Sequence, residues 1–273
     1  MKCKYIVSRW ISFSLSIFTL LLFNSSAAPE AAYEEFTVIV DAGHGGGDPG
    51  TVGKSNYEKD IALQVALSLR DRLLLKAPNV RVVMTRETDV FIPLRDRGII
   101  AKSNGGDFFV SIHCNAFPLT ERSGSETFIL GINKGQQNYA RLIAKNESIL
   151  FEEGHKEMYG GFEPGSPEGI IAFRLLKNAF RNESSRLARM IEENYQTTLG
   201  RESYGVKQAP FTVLYESGMP AILTEIGFLS NENDEKLLES AWGQDLIAES
   251  IFNSITSYIK EVRITKGEIE EGR

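Results

Sequence analysis

The sequence predicts an α/β fold in a single domain, with helices on both faces of a sheet. Two observations carry this. Short β-branched runs alternate with longer segments whose apolar residues recur at helical spacing, and no internal repeat or low-complexity linker interrupts them. "FTVIVD" (36–41) is the first strand. In "EKDIALQVALSLRDRLL" (58–74), Ile61, Val65 and Leu69 share one face of a helix. "VRVVMT" (80–85) reads as a strand and "LRDRGIIAKSN" (94–104) as a helix, followed by strands "DFFVSIH" (107–113) and "SETFIL" (125–130). Helices are expected near 136–150 and over 168–180 and 184–199, then strands "FTVL" (211–214) and "PAILTEIG" (220–227). Helices over 231–240 and 243–262 close the domain. Residues 131–183 read as an insertion, because they separate well-formed elements and carry the polar, Gly/Pro-rich "EEGHKEMYGGFEPGSPEG".

The ends differ from this domain, which spans 36–262. Lys2, Lys4 and Arg9 precede an apolar run from Trp10 to Phe23, and "NSSAAPEAA" follows. A basic start, a short apolar centre and small residues make a secretory signal peptide over 1–28, cut near Ala27 or Ala28, with 29–35 a short linker. The run is too short to cross a bilayer comfortably, so no transmembrane segment is expected in the mature chain. Cys3 stands too early for a typical lipid-attachment site. Removing 1–28 takes away three positive charges and moves the formal charge from −6 to −9. An acidic chain without a dense basic block is a poor binder of nucleic acid. Cys114 is then the remaining cysteine, which excludes an intramolecular disulfide. Residues 263–273 form a charged tail.

The first strand runs into a glycine-rich loop, "VIVDAGHGGGDPGTVGKS" (38–55), with His44 in its middle. It is not a phosphate cradle. "DPGTVGKS" (48–55) ends as a Walker loop does but begins with Asp48, whose carboxylate would face the phosphates, and the dinucleotide fingerprint also fails at Asp48. Of three histidines, His44 follows the strand 36–41 and His113 ends the strand 107–113; His155 lies in the insertion. Ligands of open α/β sheets gather outside the carboxyl ends of strands, and neutral imidazole is the commonest metal ligand. A catalytic zinc usually takes three protein ligands. Glu58, which opens the first long helix, is brought back towards His44. It fits two readings equally well: a metal ligand, or the glutamate of a capping box in Ser55-x-x-Glu58. Neighbours on a strand point to opposite faces, so if His113 faces the site, Cys114 faces the core and Asn115 shares the histidine's side. "ILTEIGFLSN" (222–231) places Glu225 near the end of an apolar strand. It is there either as half of a structural ion pair or as a carboxylate that takes a proton from water activated at a metal.

In this order, "VIVDAGHGGGDPGTVG", "EKDIAL", "TRETDVFIPLRDR", "FVSIHCNA", "GSETFIL" and "PAILTEIGFLSN" resemble the zinc-dependent N-acetylmuramoyl-L-alanine amidases, which trim peptidoglycan. The likeness covers most of 36–262, broken by the insertion. It implies a mixed, twisted sheet flanked by helices, of phosphorylase/hydrolase-like type. It implies that His44, Glu58 and His113 hold Zn2+ and that Glu225 is the catalytic carboxylate. The partner it implies is peptidoglycan, in the periplasm or outside the cell, for wall remodelling or daughter-cell separation. Some members similarly carry an added helical segment that covers the zinc until an activator protein displaces it. Residues 131–183 are the candidate cover here, with Glu147, Glu152, Glu153, Glu163 or Glu168 as the blocking carboxylate. The competing readings are a non-catalytic wall-binding protein of the same fold and a zinc peptidase cutting within the stem peptide.

Overall fold

The computed structural model describes residues 35–131 and 166–267. The expected signal peptide (1–28), nearly all of the linker, the helix near 136–150, His155, and Glu147, Glu152, Glu153 and Glu163 lie outside the described residues. Among the described residues no helix is long and apolar enough to cross a membrane.

The strands are β1 (Phe36–Ala42), β2 (Val80–Met84), β3 (Phe108–Asn115), β4 (Ser125–Leu130), β5 (Ser203–Ala209) and β6 (Ala221–Phe228). They form one six-stranded sheet in the order β2-β1-β3-β6-β4-β5. β1, β2, β3 and β6 run parallel, β4 pairs antiparallel with β6, and β5 runs parallel to β4, so the sheet is mixed.

Period-two alternation divides the strand residues between two cores. Val38, Val40, Val110, Ile112 and Ile222 share one with residues of α1 (Glu58–Lys76), α3 (Pro167–Leu199) and α6 (Ala241–Thr265). Ile39, Phe109, Phe128 and Leu223 share the other with Ala101 of α2 (Leu94–Ser103) and with Val213 and Leu214 of α4 (Thr212–Ser217). Helices therefore cover both faces, and α5 (Glu232–Glu239) leads from β6 into α6.

Three expectations are corrected. "FTVL" (211–214) is not a strand: Thr212–Ser217 is a short buried helix, closed by Gly218 at φ 66°. A four-residue apolar run has too little length to separate a strand from a buried helical turn. The strand stands just before it, at Ser203–Ala209. There Gly205, at φ 70°, belongs to a bulge where the β4–β5 register shifts, which breaks the alternation that would have announced it. The helices expected at 168–180 and 184–199 are one, α3, so position 183 falls inside a helix. Arg181-Asn182-Glu183 is polar but compatible with a helix, and neither Gly nor Pro occurs between Ile170 and Leu199. Ser166 caps its start by accepting from Gly169 N at 3.1 Å, and Gly200 ends it at φ 61°. The last helix continues to Thr265, into the expected tail.

Candidate metal centre

β1 ends at Ala42, and the glycine loop turns beneath its carboxyl end. His44 has φ 56° and is the one non-glycine residue with positive φ among the described residues. That left-handed conformation is costly for a histidine and persists only where its surroundings over-determine it. Two buried arginines do so. Arg97 donates from Nη1 to Ala42 O at 2.6 Å and from Nη2 to His44 O at 2.7 Å. Arg86 donates from Nε to Ala42 O at 2.9 Å and from Nη2 to Gly43 O at 2.7 Å.

Glu58 is the first residue of α1, whose N-cap, Tyr57, makes no side-chain cap bond. Its carboxylate is not in a capping box, because Ser55 N donates to Glu235 Oε1 at 2.9 Å instead. Oε2 accepts from Thr51 N at 2.7 Å and Oε1 from Cys114 N at 2.8 Å. Oε1 also lies 3.0 Å from His113 Nδ1 and 3.2 Å from His44 Nε2. One donor atom from each of His44, Glu58 and His113 falls within 4.8 Å of the other two, and all three residues are buried. The glycines make room for them. A Cβ on Gly43 would stand 2.4 Å from the His113 ring; one on Gly50 would stand 2.6 Å from both Glu58 Oε2 and His44 Cδ2. Of the loop's glycines, Gly43 and Gly50 thus stand where side chains of the His-Glu-His set occupy the space.

Glu225 is 2% exposed on β6 and lies in parallel register with His113. Paired residues on adjacent strands, about 4.8 Å apart, present their side chains to the same face. A bulge follows at once: His113 pairs with Glu225 but Asn115 with Phe228. Glu126 of β4 pairs with Glu225 from the other side, so His113, Glu225 and Glu126 form a row across three strands. Glu126 accepts from Asn115 Nδ2 at 2.6 Å and is ion-paired with Arg122 and Lys207. Asn115 does share the face of His113, and its amide is spent on Glu126. Cys114 points the opposite way, into the core with α1; burial first, and the Glu58 charge second, push its thiol pKa up, which suits an inert thiol.

The donor set fits a divalent metal. Two imidazoles and a carboxylate are a known catalytic zinc set. Each histidine also has a partner for its other nitrogen: His44 Nδ1 lies 2.8 Å from Asp48 Oδ2 and His113 Nε2 lies 3.0 Å from Ser111 Oγ. Burial opposes the charge on Glu58, but the two imidazoles outweigh it and hold its carboxyl below the usual range. The hydrogen bond to His44 likewise lowers the pKa of Asp48, against partial burial.

Residues 38–257 match the family model described as N-acetylmuramoyl-L-alanine amidase. The chain belongs to this family. The amidase AmiC of Escherichia coli O6:H1 is 33% identical over 227 residues, which is 82% of this chain and 53% of AmiC. The chain thus spans about half the length of that relative. A solved N-acetylmuramoyl-L-alanine amidase from Clostridium difficile 630 is 30% identical, with a TM-score of 0.62 over 83% of this chain and 98% of that one. The CwlD amidase of Clostridioides difficile, solved in complex with the GerS lipoprotein, is 27% identical with a TM-score of 0.59, over 83% and 99% of the two chains.

Several residues around the centre of this amidase-family chain escaped the sequence reading. Asp48, noticed only as an obstacle to phosphate, is the partner of His44. Ser111 stands two residues before His113, on the same strand face, so the period of two held a usable signal. Arg86 and Arg97 come from "TRETDVFIPLRDR", and nothing in their spacing announces that they hold the glycine loop. Glu168, one of the expected blocking carboxylates, lies exposed in the first turn of α3 and is not among the converging donors.

Proposed function

We propose that this chain hydrolyses the amide bond between N-acetylmuramic acid and L-alanine in peptidoglycan, outside the cytoplasmic membrane, with the periplasm as its compartment. His44, Glu58 and His113 hold Zn2+, and Glu225 is the catalytic carboxylate. One observation carries this: a buried His-Glu-His set beside the strand position of Glu225, in a chain of the amidase family. Zinc bound there supplies Lewis acidity towards an amide carbonyl and makes water easier to deprotonate. The chain's own groups do the rest. Asp48 holds the His44 ring through Nδ1, which directs Nε2 to the centre. Thr51 N and Cys114 N orient the Glu58 carboxylate. Glu225 accepts a proton from the attacking water and delivers it to the leaving nitrogen of L-alanine. The water oxygen ends on the lactyl carbon as the C–N bond breaks. The products are a peptide with a free L-alanine amine and a glycan bearing a free lactyl carboxylate.

A partner protein acting on segment 131–183 belongs to the same proposal, supported by the GerS complex of the related CwlD. Mass spectrometry of purified sacculi digested with the zinc-loaded chain tests the reaction. Released peptides should begin at L-alanine. Peptides cut further along the stem would replace the amidase with a peptidase, and sacculi bound but left intact would replace it with a binding protein.

A further inference from the structure

We propose that Asp234 and Glu235, neighbours on α5, are positioning residues that hold the two halves of the centre against each other. Glu235 holds the hairpin that carries Glu58, and Asp234 holds the strand end that carries Glu225. The inference rests on the roles proposed for Glu58 and Glu225, but the contacts behind it involve neither of those carboxylates. Residues 51–58 form a small hairpin: Val52 and Tyr57 are bridged antiparallel, Gly53 N donates to Asn56 O at 2.9 Å, and Glu58 N donates to Thr51 O at 2.9 Å. Thr51 and Glu58 are its base, joined again by the bond from Thr51 N to Glu58 Oε2. Its tip is held from α5. Ser55 N donates to Glu235 Oε1 at 2.9 Å, and Glu235 is buried. A Cβ on Gly53 would stand 2.3 Å from the same oxygen, so the tip lies directly on this carboxylate. Lys54 and Asn56 reach Glu232 and Glu239 on the same helix, but those contacts are exposed.

The residue before Glu235 serves the other half. Asp234 Oδ2 accepts from Phe228 N at 2.8 Å and from Gly124 N at 2.9 Å, while Oδ1 accepts from Arg201 Nη2 at 2.9 Å. Arg201 Nη1 in turn donates to Ile226 O. Ile226 and Phe228 stand one and three residues past Glu225, and Gly124 stands two before Glu126, which pairs with Glu225. The backbone is thus gripped where the His113–Glu225 register gives way to the bulge. α5 is itself fixed at its start by Asn231, whose Oδ1 accepts from Asn233 N and Asp234 N. Two adjacent side chains on one helix therefore set the spacing between the hairpin of Glu58 and the strand end of Glu225. A misplacement of about 1 Å in a reacting constellation costs about 10²-fold in rate, so this spacing matters to the reaction.

The test measures zinc affinity by chelator competition, and kcat and KM for stem-peptide release from sacculi, on the full chain. Gly53→Ala is compatible with the backbone, since Gly53 is not at positive φ. Its Cβ pushes away Glu235 Oε1, the far end of a flexible side chain, and Glu235→Ala removes that oxygen. Each variant should bind zinc roughly tenfold more weakly. The double variant should be no weaker than Glu235→Ala, because both break one contact. Glu235→Gln retains an acceptor for Ser55 N and should restore wild-type affinity. Asp234→Asn, which turns one acceptor into a donor, should lower kcat roughly 10²-fold with KM and zinc affinity unchanged. Unchanged zinc affinity in Gly53→Ala and Glu235→Ala, or an equal loss of it in Asp234→Asn, overturns the proposal. Should Glu235→Ala or Asp234→Asn fail to fold, judged by melting temperature, Gly53→Ala decides, and unchanged zinc affinity there overturns the proposal. A wild type that binds no zinc or releases no peptide overturns the proposed function itself, a result distinct from an active wild type with indifferent variants.

Discussion

At Gly50 the backbone has φ 63°, and an added Cβ would press on two members of the His-Glu-His set at once. Gly50→Ala is therefore expected to cost at least about 1–2 kcal/mol in urea unfolding from the left-handed backbone alone, and to weaken zinc binding as well. A loss of stability with unchanged zinc affinity would show that the loop relaxes without disturbing the ligands. Glu225 differs in kind, because its proposed work is proton transfer. Glu225→Gln should keep one zinc per chain and lose roughly 10²–10⁴-fold in release of stem peptide. Release at the wild-type rate would remove Glu225 from the chemistry. The two histidines were legible as candidates because each sits at a strand's carboxyl end. Of their partners, Ser111 was within reach of the period of two on its own strand, whereas Asp48 was not legible, since a partner in a loop is fixed by where that loop returns.

Elements were legible in proportion to their regularity. β1, β3 and β6 are almost wholly buried strands rich in apolar residues, and α1 carries its buried stripe at a constant period. The β5–α4 stretch misled because a bulge at Gly205 hides the strand, while the β-branched pair Thr212 and Val213 opens a helix. α3 was divided at residues that favour neither continuation nor a break, and packing decides for continuation: Leu187, Ala188, Ile191 and Tyr195 join the core beneath the sheet. α3 also brings Glu192 under the paired strands β4 and β5, where it accepts from Ser125 Oγ, Thr127 Oγ1 and Ser203 Oγ. Burial raises its pKa above the ordinary 4.5, more than those three hydroxyls lower it. The sign follows from linkage. Between 4.5 and the raised folded value, the unfolded state has released the proton and the folded state still holds it, so stability falls as pH rises through that window. Glu192→Gln should remove this part of the slope in urea melts taken from acid to neutral pH. An unchanged slope would mean that Glu192 titrates normally.

Across the described molecule, the centre is where β1, β3 and β6, the contiguous parallel strands, end together. His44 follows β1, while His113 and Glu225 lie near the ends of β3 and β6. That placement was readable from the rule that ligands of open α/β sheets gather outside the carboxyl ends of the strands. The far bound of segment 131–183 was not, because α3 passes through it and contributes Phe173 to a small cluster with Tyr215. A deletion that tests the proposed cover should therefore take 132–165 alone. Its expected result is faster release of stem peptide from sacculi without any partner; an unchanged rate in a folded deletion would show that these residues do not restrain the enzyme. The central claim, that one metal ion is held by His44, Glu58 and His113, is tested most directly by anomalous diffraction at the zinc edge from crystals of the zinc-loaded chain. A single peak bounded by His44 Nε2, the Glu58 carboxylate and His113 Nδ1 is predicted. A peak held by other residues, or none at that position, would contradict it.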